Sequence, residues 1–291
     1  MKSRLPFSIS SLLDLLKIRI SLSVSLTTFT GYIVHSHAFS THLLIPVIAV
    51  FILASGASSL NHFQERKFDS LMARTRERPL PSGTITPETA LLISILCILS
   101  GSLILLLFSN LYSFILGLFA VLWYNGVYTY LKRITPFAVV PGSIVGAIPP
   151  VIGWIAAQGE ILDPAVLALA FFFFIGQIPH FWLLLLKYGK EYEHAGFRSL
   201  TEIFDAGQLR RLTFTWVSAT AVTALIFPLF GIISEFVMIT VLILVSLILI
   251  FSFLGLILGK NEMIRISPAF MKLNVYYLLI MLILIIEALM R

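Results

Sequence analysis

Thr89-Ala-Leu-Leu-Ile-Ser94-Ile-Leu-Cys97-Ile-Leu-Ser-Gly101-Ser-Leu-Ile-Leu105-Leu-Leu-Phe108-Ser109-Asn110-Leu111 is an uncharged run that, as a helix rising 1.5 Å per residue, crosses the roughly 30 Å hydrocarbon core of a bilayer. It breaks only at Ser109-Asn110, and a second apolar run starts at once. A chain that leaves the bilayer for so short a stretch must turn straight back, so these two spans are antiparallel neighbours. The same pattern repeats near 18–38, 43–62, 89–109, 111–131, 136–157, 164–186, 212–233, 236–259 and 270–290. Each run must be helical, because backbone exposed to lipid has to satisfy its own hydrogen bonds. The expected fold is therefore an all-α multi-pass bundle of nine transmembrane helices, forming a single membrane-embedded domain over residues 1–291.

Composition agrees: 58% of the residues are hydrophobic and 12% charged, with a mean hydropathy of +0.99. A soluble domain carries about a quarter charged residues. Of the 20 Lys and Arg residues, every one but Arg291 falls on the same side when nine spans alternate from an inside N-terminus. Those at the N-terminus are Lys2, Arg4, Lys17 and Arg19. Positive residues are retained on the cytoplasmic side, so the N-terminus is expected there. The net charge of +6 then belongs to a face beside anionic lipid. With no basic soluble domain and no aromatic-basic platform, nucleic acid binding is not expected. The lone Cys97 lies within a span and has no intrachain disulfide partner. The stretch Leu5 to Ile20 is amphipathic and suits the interface before the chain turns inward.

The charge is concentrated in two connections. The first runs Asn61-His-Phe-Gln-Glu65-Arg-Lys-Phe-Asp69-Ser-Leu-Met-Ala-Arg74-Thr-Arg-Glu-Arg78-Pro-Leu-Pro81. Asn61, Glu65 and Asp69 are spaced i, i+4, i+8 and fall within an arc of about 80° on one helix face. Hard oxygen ligands without Cys or clustered His suit Mg2+, whose shell substrate phosphates commonly complete. The competing reading is a solvated, positive-inside loop with capping acids. The second connection, Lys187-Tyr188-Gly-Lys190-Glu191-Tyr192-Glu193-His194, offers Glu191, Lys187 and Tyr188 on the same membrane face. Metal and Arg together suit an anionic ligand.

Residues 61–81 resemble the signature of the intramembrane polyprenyl transferases, the UbiA superfamily, and within it the haem-farnesylating branch. Two further stretches are similar to that branch. One is Tyr128-Thr-Tyr-Leu-Lys132-Arg133-Ile-Thr135-Pro136, with Pro141-Gly142 and Gly146-Ala-Ile-Pro149-Pro150-Val-Ile-Gly153-Trp154. The other is Gln177-Ile-Pro179-His180-Phe181-Trp182, leading into Lys187. The resemblance implies a nine-helix enzyme that converts farnesyl diphosphate, haem b and water to haem O and diphosphate. It implies Mg2+ held by Asn61, Glu65, Asp69 and Glu191. Arg74 and Arg78 would clamp the diphosphate, helped by Lys187 and Lys190, and Asn61, Glu65, Asp69, Arg74 and Arg78 form the catalytic set. The site would face the cytoplasm from a bacterial inner membrane, with haem A synthase as a partner. Glu65 replaces the superfamily's usual Asp, and Lys190-Glu191 stands where many members carry two adjacent acids.

Haem contacts are assigned to His180, Lys132 and Arg133. An imidazole at membrane depth is a functional candidate, and a haem substrate suggests axial ligation or propionate contact. The other reading of His180 is a buried histidine bonded to a neighbouring helix, and Lys132 and Arg133 equally serve the positive-inside rule. Phe171 to Phe174 offer a prenyl groove, although four consecutive residues sample every helix face. Gly142 and Gly146 suggest close helix packing, and Trp123, Trp154 and Trp182 suggest interfacial anchors. Two other functions compete: a superfamily relative acting on an aromatic or quinone precursor, and a transporter. Transporters are expected to show paired repeats and polar groups at mid-membrane. No repeat pairs the two halves here, and the acids sit at one membrane face instead of the midplane.

Overall fold

The computed structural model describes residues 8–258 and 266–291. Lys2, Arg4 and Leu5, named above, and Lys260 and Arg265, two of the 19 basic residues counted on one side, lie outside the described residues. A short amphipathic helix, α1 (Ile9–Leu15), precedes the first long helix, α2 (Ile18–Ser36). Then follow α3 (Leu44–Asp69), α4 (Pro87–Phe108) and α5 (Leu111–Val121), which continues through Leu122–Tyr128 and Thr129–Leu131. The remaining long helices are α6 (Ile144–Ala156), α7 (Pro164–His194), α8 (Ala206–Ala224), α9 (Phe236–Phe253) and α10 (Ile266–Met290).

Eight helical segments among the described residues are long and apolar enough to cross a membrane. The expected first span, α2, forms as a helix but is less apolar, because Ser21, Ser23, Ser25, Thr27, Thr28 and Thr30 interrupt it. Their hydroxyls bond back to main-chain carbonyls within α2 and at its start, as in Ser23 to Arg19 and Thr30 to Leu26. Such back-bonding hides hydroxyls from lipid without a partner helix. Several boundaries differ from expectation, among them the start of α8 at Ala206 instead of 212. Helix α3 continues past residue 62 to Asp69, and α7 past 186 to His194, so each carries its charged residues on the helix itself. The connection between the expected spans 111–131 and 136–157 is also longer than expected, because Val139–Gly142 forms its own turn before α6.

Helix ends follow local chemistry. Asn110 caps α5, its Oδ1 accepting from Ser113 N at 2.8 Å while its Nδ2 donates to Ile155 O at 3.0 Å. Thr86 and Asp163 cap helices that begin with Pro87 and Pro164, whose missing N–H is no loss there. Lipid tails are as apolar as Leu, so close packing and hydrogen bonds hold such helices together. Helices α2 and α6 approach most tightly at glycine: a Cβ on Gly153 would overlap the Thr28 carbonyl oxygen, and one on Gly31 the Pro150 carbonyl.

The largest core lies between α6, α7, α8, α9 and α10 around Phe172, which is edge-on to Phe173 and Phe227 and lies near Tyr276. Of the four consecutive phenylalanines, Phe172 and Phe173 are buried there and Phe171 is exposed. The interfacial reading of Trp154 and Trp182 does not hold, since both are buried. Because α7 runs on to His194, Trp182 falls well inside it and meets Trp216 edge-on at 5.6 Å.

Candidate functional site at one end of the bundle

Asn61, Glu65 and Asp69 lie on one unbroken helix, and their i, i+4, i+8 spacing becomes a real face. They are 2%, 5% and 1% exposed. Carboxylates buried this deeply need partners, and each has one from a different part of the chain. Glu65 pairs with Lys132 at the end of α5. Both Asp69 oxygens accept from Arg78 Nη1 at 2.9 Å. Asn61 Oδ1 accepts from Lys17 Nζ at 3.2 Å, and its Nδ2 donates to Thr129 Oγ1 at 3.2 Å. The Asp69 carbonyl accepts from Thr75 Oγ1 at 2.8 Å, which fixes the chain leading to Arg78.

Helix α5 reaches this face through a local irregularity. Leu122–Tyr128 is a π-helical turn, a wider winding that recurs at functional sites. From it, Asn125 Nδ2 donates to Ala57 O at 3.0 Å and to Gln64 Oε1 at 3.1 Å, while Gln64 Nε2 returns a bond to Asn125 O at 3.0 Å. Tyr124 and Tyr128 stack at 5.9 Å, and Phe181 of α7 lies 5.9 Å from Tyr128. Gly142 leaves room for the Tyr128 ring and Gly146 for Gln177, as close packing requires.

The second charged connection folds onto the first. Arg74 donates to Tyr192 Oη at 3.2 Å and lies over the Tyr188 ring at 5.1 Å. Met72, Ala195 and Phe197 form a small buried cluster, with Phe68 and Phe197 rings 5.0 Å apart. Glu191 sits in the same turn, one of its oxygens buried without a hydrogen-bond partner. Glu193, its neighbour, accepts from Thr201. Gly196, at φ +85°, supplies the left-handed turn that brings Phe197 back.

Not every expected residue converges. Lys187 turns toward Ser267 Oγ at 3.0 Å, and Lys190 is exposed with no contact to the acid face. Arg133 lies over Phe68 at 4.5 Å and donates to Gln64 O at 3.3 Å. The His180 ring rests 4.2 Å from that of Phe270. It has no hydrogen-bond partner among the described residues, so the reading of a histidine bonded to a neighbouring helix is not what is seen. Sequence reasoning missed Lys17, Gln64, Asn125 and Thr129. Lys17 stands far from Asn61 in sequence and passed for one more positive-inside residue. Burial and then neighbouring Arg78 push its ammonium down to about 7, opposed by Glu65. No group of three or more His, Cys, Asp or Glu side chains gathers as a metal cage among the described residues. The donor set on α3 is hard oxygen on one face, which fits a cation whose remaining ligands come from a bound anion.

A helical membrane bundle with a buried oxygen face at one end, ringed by Lys and Arg and flanked by aromatic side chains, suits a lipid-soluble substrate with an anionic head. Residues 24–276 match the UbiA prenyltransferase family, and the chain belongs to that family. It is 38% identical over 224 residues to the protoheme IX farnesyltransferase of Geobacter sulfurreducens, covering 75% of this chain and 81% of that one. It is 35% identical over 224 residues to the protoheme IX farnesyltransferase of Nitratidesulfovibrio vulgaris strain DP4, covering 77% and 78%. The solved UbiA homologue from Archaeoglobus fulgidus bound to GPP and Mg2+ shares the fold, with a TM-score of 0.72 and 16% identity over 97% of this chain and all of that one.

Proposed function

We propose that this prenyltransferase transfers the farnesyl group of farnesyl diphosphate to a vinyl group of haem b, with water, giving haem O and diphosphate. The carrying observation is the buried Asn61, Glu65, Asp69 face with its ring of bases, in a chain 38% identical to a protoheme IX farnesyltransferase. In this reading Asn61, Glu65 and Asp69, with Glu191 from the facing turn, hold Mg2+. When bound, the ion neutralises charge on the departing diphosphate. Arg78 and Arg74 donate to phosphate oxygens from the loop after α3, and stabilising charge that develops on the leaving group is where binding energy accelerates the reaction. Lys187 and Lys190 act more remotely, as a positive rim that draws the substrate in.

The farnesyl C1–O bond breaks, C1 bonds to one vinyl carbon, and water adds to the other with loss of a proton. Tyr124, Tyr128 and Phe181 wall the mouth beside the acids and limit stray water around the reacting carbon. His180, half-buried and without a hydrogen bond among the described residues, is the haem-side ligand, with Arg133 near a propionate. Lys132 serves Glu65 first and reaches a propionate only by leaving it. The site faces the cytoplasm from a bacterial inner membrane, and haem A synthase is the partner that receives the product. Farnesyl diphosphate, Mg2+ and haem b are supplied to membranes carrying the protein, and extracted haem is analysed by mass. Farnesylated, hydrated haem is the expected product; conversion of a quinone precursor instead, with haem b untouched, would refute the reading.

A further inference from the structure

Lys17 has a setting that a charge-retention role does not explain. It sits between α1 and α2 at φ 46° and ψ 51°, a left-handed conformation that costs a non-glycine residue free energy. The kink is held from both sides: Lys17 N donates to Asp14 O at 3.2 Å, and Ile20 N and Ser21 N donate to Lys17 O at 2.8 and 3.0 Å. Leu15, fully buried against Leu80, Ile85 and Ala90, pins α1 to the loop that carries Arg78. The chain is thus bent where the ammonium can reach the acid face.

An ammonium has three donors. Among the described residues Lys17 Nζ has one acceptor, Asn61 Oδ1, and no carboxylate within ion-pair distance. Glu65 and Asp69 have their own bases. His62, the next residue on α3, is 2% exposed with both ring nitrogens unpartnered among the described residues, and it lies within electrostatic reach of Lys17 and Arg78. Donors in excess of acceptors, beside Arg78 and Lys132, call for an oxygen-rich anion.

We propose that Lys17 is a substrate-binding residue that donates to the diphosphate through the N–H groups Asn61 does not use. This rests on the diphosphate reading of the α3 face. The carboxylate of a haem propionate shares the required chemistry, but Lys17 is tied to Asn61, at the head of the oxygen face, and diphosphate is the occupant assigned.

The test uses the full-length protein in detergent, with inorganic pyrophosphate plus Mg2+ as probe. Lys17→Gln is expected to weaken pyrophosphate binding by about ten- to one hundred-fold, the range for a charge-assisted hydrogen bond. The KM for farnesyl diphosphate should rise, the KM for haem should hold, and Lys17→Arg should recover most of the affinity. Should Lys17→Gln fail to fold, the wild-type protein still answers: pyrophosphate should protect Lys17, and not exposed Lys190, from reductive methylation read by mass spectrometry. Unchanged pyrophosphate affinity, absent protection, or a KM change confined to haem would overturn the assignment. A wild-type protein that does not bind pyrophosphate would instead sink the diphosphate reading itself.

Discussion

Replacing Arg78 by Met separates what the Arg78–Asp69 pair does for folding from what it does for turnover. Asp69 is 1% exposed and the Arg78 side chain 24% exposed, with Nη1 2.9 Å from both carboxylate oxygens. Removing one member of a buried pair costs about 3–5 kcal/mol, because the other charge stays buried alone. Water reaches a quarter of the Arg78 side chain, which lowers the expected loss to about 2–3 kcal/mol. The double variant Asp69→Asn/Arg78→Met leaves no buried charge and should regain most of that stability. Turnover should behave differently: losing one charge-assisted bond to the departing diphosphate, about 1.5–3 kcal/mol, slows the single variant about 10- to 150-fold. The double variant, lacking the Asp69 oxygen charge as well, should be stable and inactive. Thermal unfolding in detergent and haem O formation by mass analysis read the two quantities. A double variant as unstable as the single one, or an Arg78→Met protein as active as wild type, would refute the reasoning.

Asn61→Ala removes the acceptor for Lys17 and the donor to Thr129; the protein should insert and melt within about 2 kcal/mol of wild type while haem O formation falls below detection. Asp69→Asn should likewise insert and lose turnover. Treatment with a chelator should stop turnover and added Mg2+ restore it, with helical circular dichroism unchanged; persistence of activity would remove the metal role of the α3 face. Gly153→Ala should force α2 from α6 and destabilise by about 3 kcal/mol, read as a lower melting temperature. An unshifted melt would contradict the close approach at Thr28.

Eight of the nine expected spans and the acid face were legible because each depends on local sequence. Length and apolarity define a span, and the i, i+4, i+8 spacing of Asn61, Glu65 and Asp69 needs only that α3 not stop at residue 62. The extension of α3 and α7 beyond their apolar runs was less visible, since charged residues end a hydropathy signal without ending a helix. Trp182 was misread for the same reason: distance from the end of an apolar run is not distance from the end of the helix. Trp154 does lie near the end of α6, and there it is tertiary packing that buries it. The choice of bases depends on tertiary pairing. Lys132, assigned to haem, instead meets Glu65, and Lys17 meets Asn61 only because α1 bends back over the loop after α3. Single-sequence spacing carries no term for such encounters.

The π-helical turn at Leu122–Tyr128 gives α5 two angular phases, one answering to lipid and α4 and the other to the charged mouth. A conventional helix through the same residues would rotate everything downstream by about 100°. Straightening the turn at constant length would therefore carry Lys132 off Glu65, severing the pair without altering either residue, whereas deleting one residue as the turn becomes regular helix would cancel the rotation and keep the pair in phase. The turn thus works as a register device, taking up one residue of extra length while the Lys132 end of α5 stays aimed at α3.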